Sequence, residues 1–160
     1  MPVLQPLRHM HGFTTIELVI VVIMIGVLAT LGFPRMRAAL DKTNVRSTRV
    51  LLSTAVATAR ASAAQRGCRA VVHFTSGAGG RVWVTACPRQ SPGAGTVDTI
   101  ASVEQLAARY KVTLTASRDS IQFDPRGLSL DNATTTVRIG GTTSYGRDSL
   151  LVNPIGKVVW

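Results

Sequence analysis

The longest uninterrupted apolar stretch of the chain lies near its N-terminus, at residues 13–33. It reads FTTIELVIVVIMIGVLATLGF and carries a single charged residue, Glu17, with no charge from Leu18 onward. At a helical rise of about 1.5 Å per residue the stretch spans about 31 Å, which matches the hydrocarbon core of a bilayer. The pattern predicts a transmembrane helix. The short flank before it contains Arg8, and basic N-terminal flanks tend to stay in the cytoplasm, which places the rest of the chain outside.

After Pro34 the chain becomes polar, but the helical pattern continues. Residues 35–66 hold no further Pro and no Gly and are rich in Ala, and Gly67 is a stop signal, so they predict a stem helix. Pro34 removes one backbone donor and predicts a kink or a loosened turn. A coiled-coil stalk is disfavoured because large apolar heptads are missing. Instead, a narrow stripe at four-residue spacing suits close packing against a sheet. Its members are Leu51, Ala55, Ala59 and Ala63.

Residues 67–160 follow the pattern of a β-rich head. Two apolar runs, 68–74 and 81–87, flank the glycine-rich segment SGAGG and predict a β-hairpin. The composition of residues 88–96 predicts a loop, and apolar spacing over 100–110 predicts a short helix. Alternation elsewhere predicts further short strands, so the head is expected to be α+β with a mainly antiparallel sheet. These strands are residues 111–116, 121–123, 128–130, 134–139, 149–152 and 157–160.

The two cysteines stand at the ends of the predicted hairpin. If the turn centres on Gly77 and Ala78, Phe74 faces Arg81 and Cys68 faces Cys87. Neighbours across a ladder lie about 4.5–5.5 Å apart, which is within disulfide reach. An oxidising compartment favours a Cys68–Cys87 bond. Two buried free thiols, or a register shifted by one residue, remain the alternatives.

Composition narrows the chemistry that the chain can perform. The 160 residues include 18 Lys or Arg against 8 Asp or Glu, a net charge of +10, with two cysteines and three scattered histidines. No G-x-S-x-G, H-E-x-x-H, C-x-x-C or phosphate-binding loop occurs, so no enzyme is expected. Asp119 and Asp124 are interpreted as turn residues, and His73 as a packed or surface histidine. No cofactor is expected, and no metal site is expected either, because Asp131, Asn132 and Asp148 are too scattered to bind calcium.

The start of the apolar segment, Gly12-Phe13-Thr14-Thr15-Ile16-Glu17 followed by an apolar helix and Pro34, resembles the N-terminus of type IV pilins and type II secretion pseudopilins. Thr15 stands where the family most often has Leu. The resemblance implies that a prepilin peptidase cuts between Gly12 and Phe13 and that the new amine of Phe13 is then methylated. It also implies the pilin-like lollipop fold, a long N-terminal transmembrane and stem helix packed on the sheet of the head.

Glu17 is costly inside an apolar segment, by about 2–4 kcal/mol. After cleavage the Phe13 amine would be a cation one helical turn away, and in a filament the Glu17 carboxylate of one subunit would pair with the Phe13 amine of its neighbour. This assembly salt bridge would offset the cost of placing Glu17 in an apolar segment. The expected organisation is a cleaved cytoplasmic leader (1–12), a transmembrane helix (13–33), an amphipathic stem (34–66) and a globular head (67–160).

The head resembles the GspH/FimT branch of minor pilins, through a hairpin after the long helix, F-D-P-R-G at 123–127 and N-P-x-G-K at 153–157. The resemblance implies a low-abundance subunit at the tip of a type II secretion pseudopilus that supports protein secretion. The alternative is a minor type IV pilin that acts in pilus assembly or as a DNA-uptake receptor.

The expected partners follow from this family. They are the prepilin peptidase, other pilins or pseudopilins, an inner-membrane assembly platform and membrane lipid, and the chain is expected to span the inner membrane once with its head on the periplasmic side. DNA is considered because the chain is basic. It is not favoured, because the stem holds seven basic residues and one acid, Asp41, so most of the excess positive charge lies on the part that a filament tends to bury or hold near the membrane. The G-R-x-R motif of DNA-binding members is also incomplete at Gly156-Lys157. The candidate DNA contacts are Arg126, Arg138, Arg147 and Lys157.

Overall fold

The computed structural model describes residues 13–88, 97–144 and 146–159. Among these residues, a long helix is followed by short strands and a short helix. The predicted leader 1–12, most of the predicted loop 88–96 and the final residue of the last predicted strand lie outside the described residues. The elements are α1 (Thr15–Arg66), β1 (Ala70–Thr75), β2 (Arg81–Ala86), β3 (Asp98–Thr99), β4 (Glu104–Gln105), α2 (Leu106–Tyr110), β5 (Thr113–Ala116), β6 (Ser120–Phe123), β7 (Thr135–Gly140), β8 (Arg147–Val152) and β9 (Val158–Val159).

The chain divides into two compact units between Arg37 and Ala38. In the first unit the described residues are the apolar start of α1. The second unit contains the rest of α1 and all the strands. The sequence predicted that the helix continues past Pro34 into the stem, and the structure assigns one continuous helix of 52 residues with Pro34 inside it.

The strands of the second unit form two sheets in which every described ladder is antiparallel. The first sheet has the order β3-β2-β1-β6, and β4 pairs with the same strand, β2, as β3 does. The second sheet has the order β5-β7-β8-β9. The α+β fold class is therefore confirmed, with a long helix packed on antiparallel sheet.

The second half of α1 packs its apolar face against the inner faces of both sheets. Leu52, Val56 and Ala59 of the helix are almost fully buried, together with Val72 and Val84 of the first sheet. The second sheet contributes Leu114, Val137, Ile139 and Leu150 to the same core. Each fully buried side chain of this size stabilises the fold by roughly 1.5–3 kcal/mol. The buried face includes the predicted Ala59 and Ala63 but runs through Val45, Leu52 and Val56, whereas Leu51 and Ala55 lie half-buried at its margin.

The helix ends where the sequence predicted. Gly67 has a φ of +63°, and the N–H of Cys68 donates to the carbonyl of Ala63 at 3.3 Å. A residue in the left-handed region followed by this hydrogen bond is a Schellman-type helix stop, and glycine adopts that region without steric cost. The chain then turns directly into β1.

The predicted hairpin is present, but its register is one residue away from the predicted one. Phe74 faces Val82 rather than Arg81. The centre of the turn is shifted because Gly77 pairs with Leu114 of β5, a contact with the other sheet. The predicted register would also have turned Arg81 and Trp83 toward the core and Val82 outward, since a one-residue slip exchanges the two faces of a strand.

The helix predicted over 100–110 is wrong for its initial residues. Only Leu106–Tyr110 is helical, and Glu104–Gln105 instead pairs with Val82 and Arg81 of β2. The N–H of Ile100 likewise donates to the carbonyl of Val84 at 2.9 Å. The exposed edge of β2 takes the backbone hydrogen bonds that a local helix would have made. The strand predicted over 128–130 reduces to one isolated bridge between Phe123 and Ser129.

Candidate assembly site and binding surfaces

The N-terminal motif begins α1 with a side-chain cap. The Oγ1 of Thr14 accepts the N–H of Glu17 at 3.3 Å, and the carbonyl of Thr14 accepts the N–H of Leu18 at 3.2 Å. Thr14 is therefore the N-cap, and Glu17 is the third helical residue, the T-x-x-E spacing of a capping box. An acid in this first turn is also favoured by the positive end of the helix dipole. The sequence analysis missed this capping role, although the spacing signals it.

The described residues of the first unit present their side chains outward. All residues from Phe13 to Arg37 are exposed, including Ile16, Leu28 and Phe33. The helix is long and apolar enough here to cross a membrane. Gly12 of the expected cleavage site lies outside the described residues, whereas Phe13 is 74% exposed at the start of the described chain.

Pro34 sits within the helix and leaves the carbonyl of Thr30 without its usual i+4 donor. The Thr30 hydroxyl donates to the carbonyl of Val27 at 2.7 Å, and the Arg37 guanidinium lies 4.3 Å from the centre of the Phe33 ring. The predicted kink at Pro34 stays a prediction.

Asp41 is the polar group that the sequence analysis did not recognise. The residue is only 3% exposed, and its carboxylate contacts the loop between β7 and β8. Oδ1 accepts the N–H of Thr142 at 2.9 Å and its hydroxyl at 3.1 Å, and Oδ2 accepts the N–H of Thr143 at 2.9 Å and its hydroxyl. Burial by itself raises the pKa of Asp41, but these four hydrogen bonds together outweigh burial and hold the pKa below its ordinary value of 3.8.

Two glycines of the loop make room for this carboxylate. A Cβ at Gly141 or at Gly146 would overlap the carboxylate of Asp41. The close approach of backbone to side chain therefore requires glycine at both positions. A second contact lies nearby, since Arg49 of the same helix forms a salt bridge with Asp148 of β8 at 2.9 Å. Asp41 and Arg49 therefore both hold α1 against the second sheet.

The two cysteines meet at the opposite end of the helix. The structure joins Cys68 and Cys87 in a disulfide, with their Cα atoms 6.3 Å apart. Arg66 reinforces the same junction, because its Nη1 donates to the carbonyl of Cys87 at 2.6 Å and lies 3.2 Å from a carboxylate oxygen of Asp98. The bond links the end of α1 to the end of β2.

The four candidate DNA contacts do not form one group. Arg126 lies in the turn after β6, and Lys157 lies in the turn before β9, which packs against Phe123 through Gly156. Arg138 and Arg147 lie on β7 and β8 and line a common depression on the outer face of the second sheet. The structure therefore brings Arg138 and Arg147 to one depression and places the other two bases in turns.

The candidate chemical groups of the head have structural partners. His73 stacks on Trp83 at a ring separation of 4.9 Å and contacts the Thr85 hydroxyl at 2.9 Å, and burial lowers its pKa. Asp124 accepts the N–H groups of Arg126 and Leu128, which makes it a turn residue as predicted. Asp131 pairs with Arg118 at 3.1 Å. Among the described residues no cluster of His, Cys, Asp or Glu is suited to a metal ion.

Comparisons with known proteins bear on this arrangement. Two crystal structures of the type IV minor pilin FimU of Pseudomonas aeruginosa share the fold at 12% identity. The first has a TM-score of 0.58 and covers 73% of this chain and 87% of its own, and the second has a TM-score of 0.55 and covers 71% and 90%. A comparison with curated proteins gives no match. The family model of the type II transport protein GspH matches residues 51–156. That match spans most of the chain, which therefore belongs to the type IV pilin-like GspH family.

Proposed function

We propose that the chain is a minor pseudopilin at the tip of a type II secretion pseudopilus, where it supports protein secretion. Its family consists of structural pilin and pseudopilin subunits, whose members assemble with other pilins. The apolar helix near the N-terminus fits a one-pass membrane anchor. What carries the proposal is the start of this helix, where the motif Phe13 to Glu17 begins a segment with no buried side chain of its own. Such a surface needs lipid before assembly and neighbouring subunits after it.

Processing and assembly follow from the same segment. Prepilin peptidase removes residues 1–12, the amine of Phe13 is methylated, and the inner-membrane assembly platform passes the subunit from lipid into the filament. The helix then occupies residues 13–33 in the membrane, with residues 34–66 as stem and 67–160 as head on the periplasmic side. In the filament the Glu17 carboxylate pairs with the Phe13 amine of a neighbour, which offsets the cost of burying either charge alone.

Glu17 has two roles to separate, because it also has the T-x-x-E spacing from Thr14 at which a glutamate can help to cap the helix. Glu17→Gln keeps a side chain of the same shape that can act in the cap but removes the charge, whereas Glu17→Ala removes both. If the salt bridge drives assembly, both variants are processed normally and neither enters filaments. Asp119→Asn, an exposed acid of the head, is the control. Normal incorporation of Glu17→Gln would show that capping alone explains the acid.

The second candidate is a minor type IV pilin of the FimT kind, acting in pilus assembly or DNA uptake. The likeness to the minor pilin FimU favours it. A clean deletion separates the two candidates when it is scored both for released extracellular hydrolases and for surface pili, twitching and transformation. Loss of secretion with intact pili supports the pseudopilin. Loss of pili or transformation with intact secretion would replace it by the minor pilin.

A further inference from the structure

The outer face of the second sheet carries a small array of polar side chains on three adjacent strands. Inward residues such as Leu114, Ile139 and Leu150 are buried, so their neighbours along each strand point outward. Thr113 of β5 faces Gly140 of β7, and Gly140 faces Arg147 of β8. One step along, Thr115 faces Arg138, and Arg138 faces Ser149. Two guanidinium groups and three hydroxyls therefore surround a position that has no side chain.

These residues line a depression of about 500 Å³. Gly140 forms its floor. A Cβ at this position would clash with the hydroxyl of Thr113, which donates to the carbonyl of Gly140 at 3.2 Å, so the floor requires glycine. The depression is open to solvent and shallow, so it suits side chains of a partner that lie across the sheet rather than an enclosed small molecule.

The two arginines have no carboxylate of their own among the residues that the structure describes. No described ion pair involves Arg138 or Arg147, and Asp148, which also lines the depression, has its carboxylate paired with Arg49 of α1 at 2.9 Å. Arg138 and Arg147 are diagonal neighbours on β7 and β8, and such positions lie about 7–8 Å apart, within reach of long side chains. Two like charges so close favour an anion between them. Arginine binds carboxylates in a bidentate manner, and the adjacent hydroxyls add donors.

The chemistry of the occupant can be narrowed by charge. A second copy of this chain, with 18 basic residues against 8 acidic ones, is a poor partner. Binding to a DNA duplex gains its affinity from neutralising several phosphates at once, whereas this face offers two arginines. We propose that the outer face of β5, β7 and β8 binds a short acidic segment of another filament subunit, with Asp or Glu carboxylates seated between Arg138 and Arg147. The identity of the partner as a filament subunit rests on the proposed function.

The test uses the full chain in detergent micelles and a fluorescent acidic peptide of Asp, Glu, Gly and Ser as the probe. The same peptide with Asn and Gln in place of the acids measures binding that does not depend on charge. The double variant Arg138→Ala/Arg147→Ala is compared with Arg69→Ala/Arg81→Ala, which removes the same charge from exposed positions elsewhere. We expect the first to weaken peptide binding about tenfold and the second less than about twofold. Trp fluorescence during unfolding checks that both variants fold.

Three results would overturn the proposal. Equal weakening by the two double variants would mean that net charge alone attracts the peptide. An absence of peptide binding by the unaltered chain would remove the site. Arginine-dependent binding of a short DNA duplex without peptide binding, at about 50 mM and about 200 mM salt, would assign the face to nucleic acid. The deletion phenotype is read independently, so the binding site can stand if the secretion role fails, and the reverse.

Discussion

The early and later segments of α1 present different surfaces although they belong to one continuous helix. From Thr15 to Arg37 every side chain is exposed, whereas eight residues of the later segment are buried, from Asp41 to Ala63. The early segment is almost entirely apolar up to Phe33, and the later segment mixes small, apolar and polar residues. The early segment therefore depends on an environment outside the chain, and the later one is stabilised by the sheets of its own unit.

The difference shows how one helix combines a segment that is apolar enough to cross a membrane with a segment that packs into a folded head. Burial against the sheets fixes the later segment by packing, by the Asp41 hydrogen bonds and by the disulfide that follows Gly67. The early segment has a cap at Thr14 and no tertiary contact of this kind among the described residues. Substitutions in the two segments should therefore act on different measurements.

The largest expected effect compares the same substitution in both segments. Leu52→Ala removes a fully buried side chain and should lower the free energy of unfolding of the head by about 2–5 kcal/mol, because it leaves a cavity. Leu28→Ala, at a position that is 69% exposed, should change it by less than about 0.5 kcal/mol. Denaturant unfolding in micelles, followed by Trp fluorescence, measures both. Equal effects would mean that the two segments fold as one cooperative body.

The disulfide sharpens the contrast at the far end of the later segment. The double variant Cys68→Ser/Cys87→Ser removes the cross-link, so the unfolded chain gains conformational entropy. For a sequence separation of 19 residues the free energy of unfolding should fall by about 3 kcal/mol. The measurement is the denaturation midpoint, together with intact mass after alkylation. Reductant added to the unaltered chain should reproduce the loss. Two alkylated cysteines without reductant would reject the bond.

Asp41 tests the contrast through pH. Asp41→Asn should cost about 1.5–3 kcal/mol near neutral pH, because an amide cannot accept from all four donors of Thr142 and Thr143. Since the pKa of Asp41 is lower in the folded state, its stabilisation is complete above its ordinary value of 3.8, which applies to the unfolded chain, and is lost as pH falls through the lower folded pKa. Unfolding curves across this range compare it with Asp119→Asn. A parallel pH dependence in Asp41→Asn and the unaltered chain would contradict the assignment.

The smallest effect concerns the cap of the early segment. Thr14→Ala removes the acceptor for the Glu17 N–H and should weaken the first turn of α1 by about 1 kcal/mol without changing the stability of the head. Amide hydrogen exchange at Glu17 and Leu18 in micelles should become faster. Thr15→Ala, one residue into the helix, is the control. Unchanged exchange in Thr14→Ala would mean that this hydrogen bond does not stabilise the turn.

Local signals predicted the elements whose cause is local. The apolar run, the Ala-rich stem and Gly67 predicted the course and the end of α1, because a helix is built from contacts between residues three and four apart. Alternation predicted β7, where Val137 and Ile139 are buried and Arg138 is exposed. The family also followed from sequence, since its motifs lie in short continuous segments.

Contacts between distant segments decided the rest. The hairpin register depended on Gly77 meeting Leu114, and residues 98–105 became edge strands because β2 offered unpaired backbone groups. Asp41 appeared in the sequence as the lone acid of a basic stem, and only the loop about 100 residues later, through Thr142 and Thr143, gives it a role.

The apolar helix, its motif at Phe13 to Glu17, the α+β class and the basic charge could all be predicted from sequence, because each depends on the order and type of neighbouring residues. The tertiary structure alone decided which polar groups meet. It separated Arg126 and Lys157, which lie in turns, from the depression that Arg138 and Arg147 share, and it buried Asp41 under a loop. The physical reason is that strand pairing and loop closure join residues far apart in sequence, and no local pattern records which of them come together.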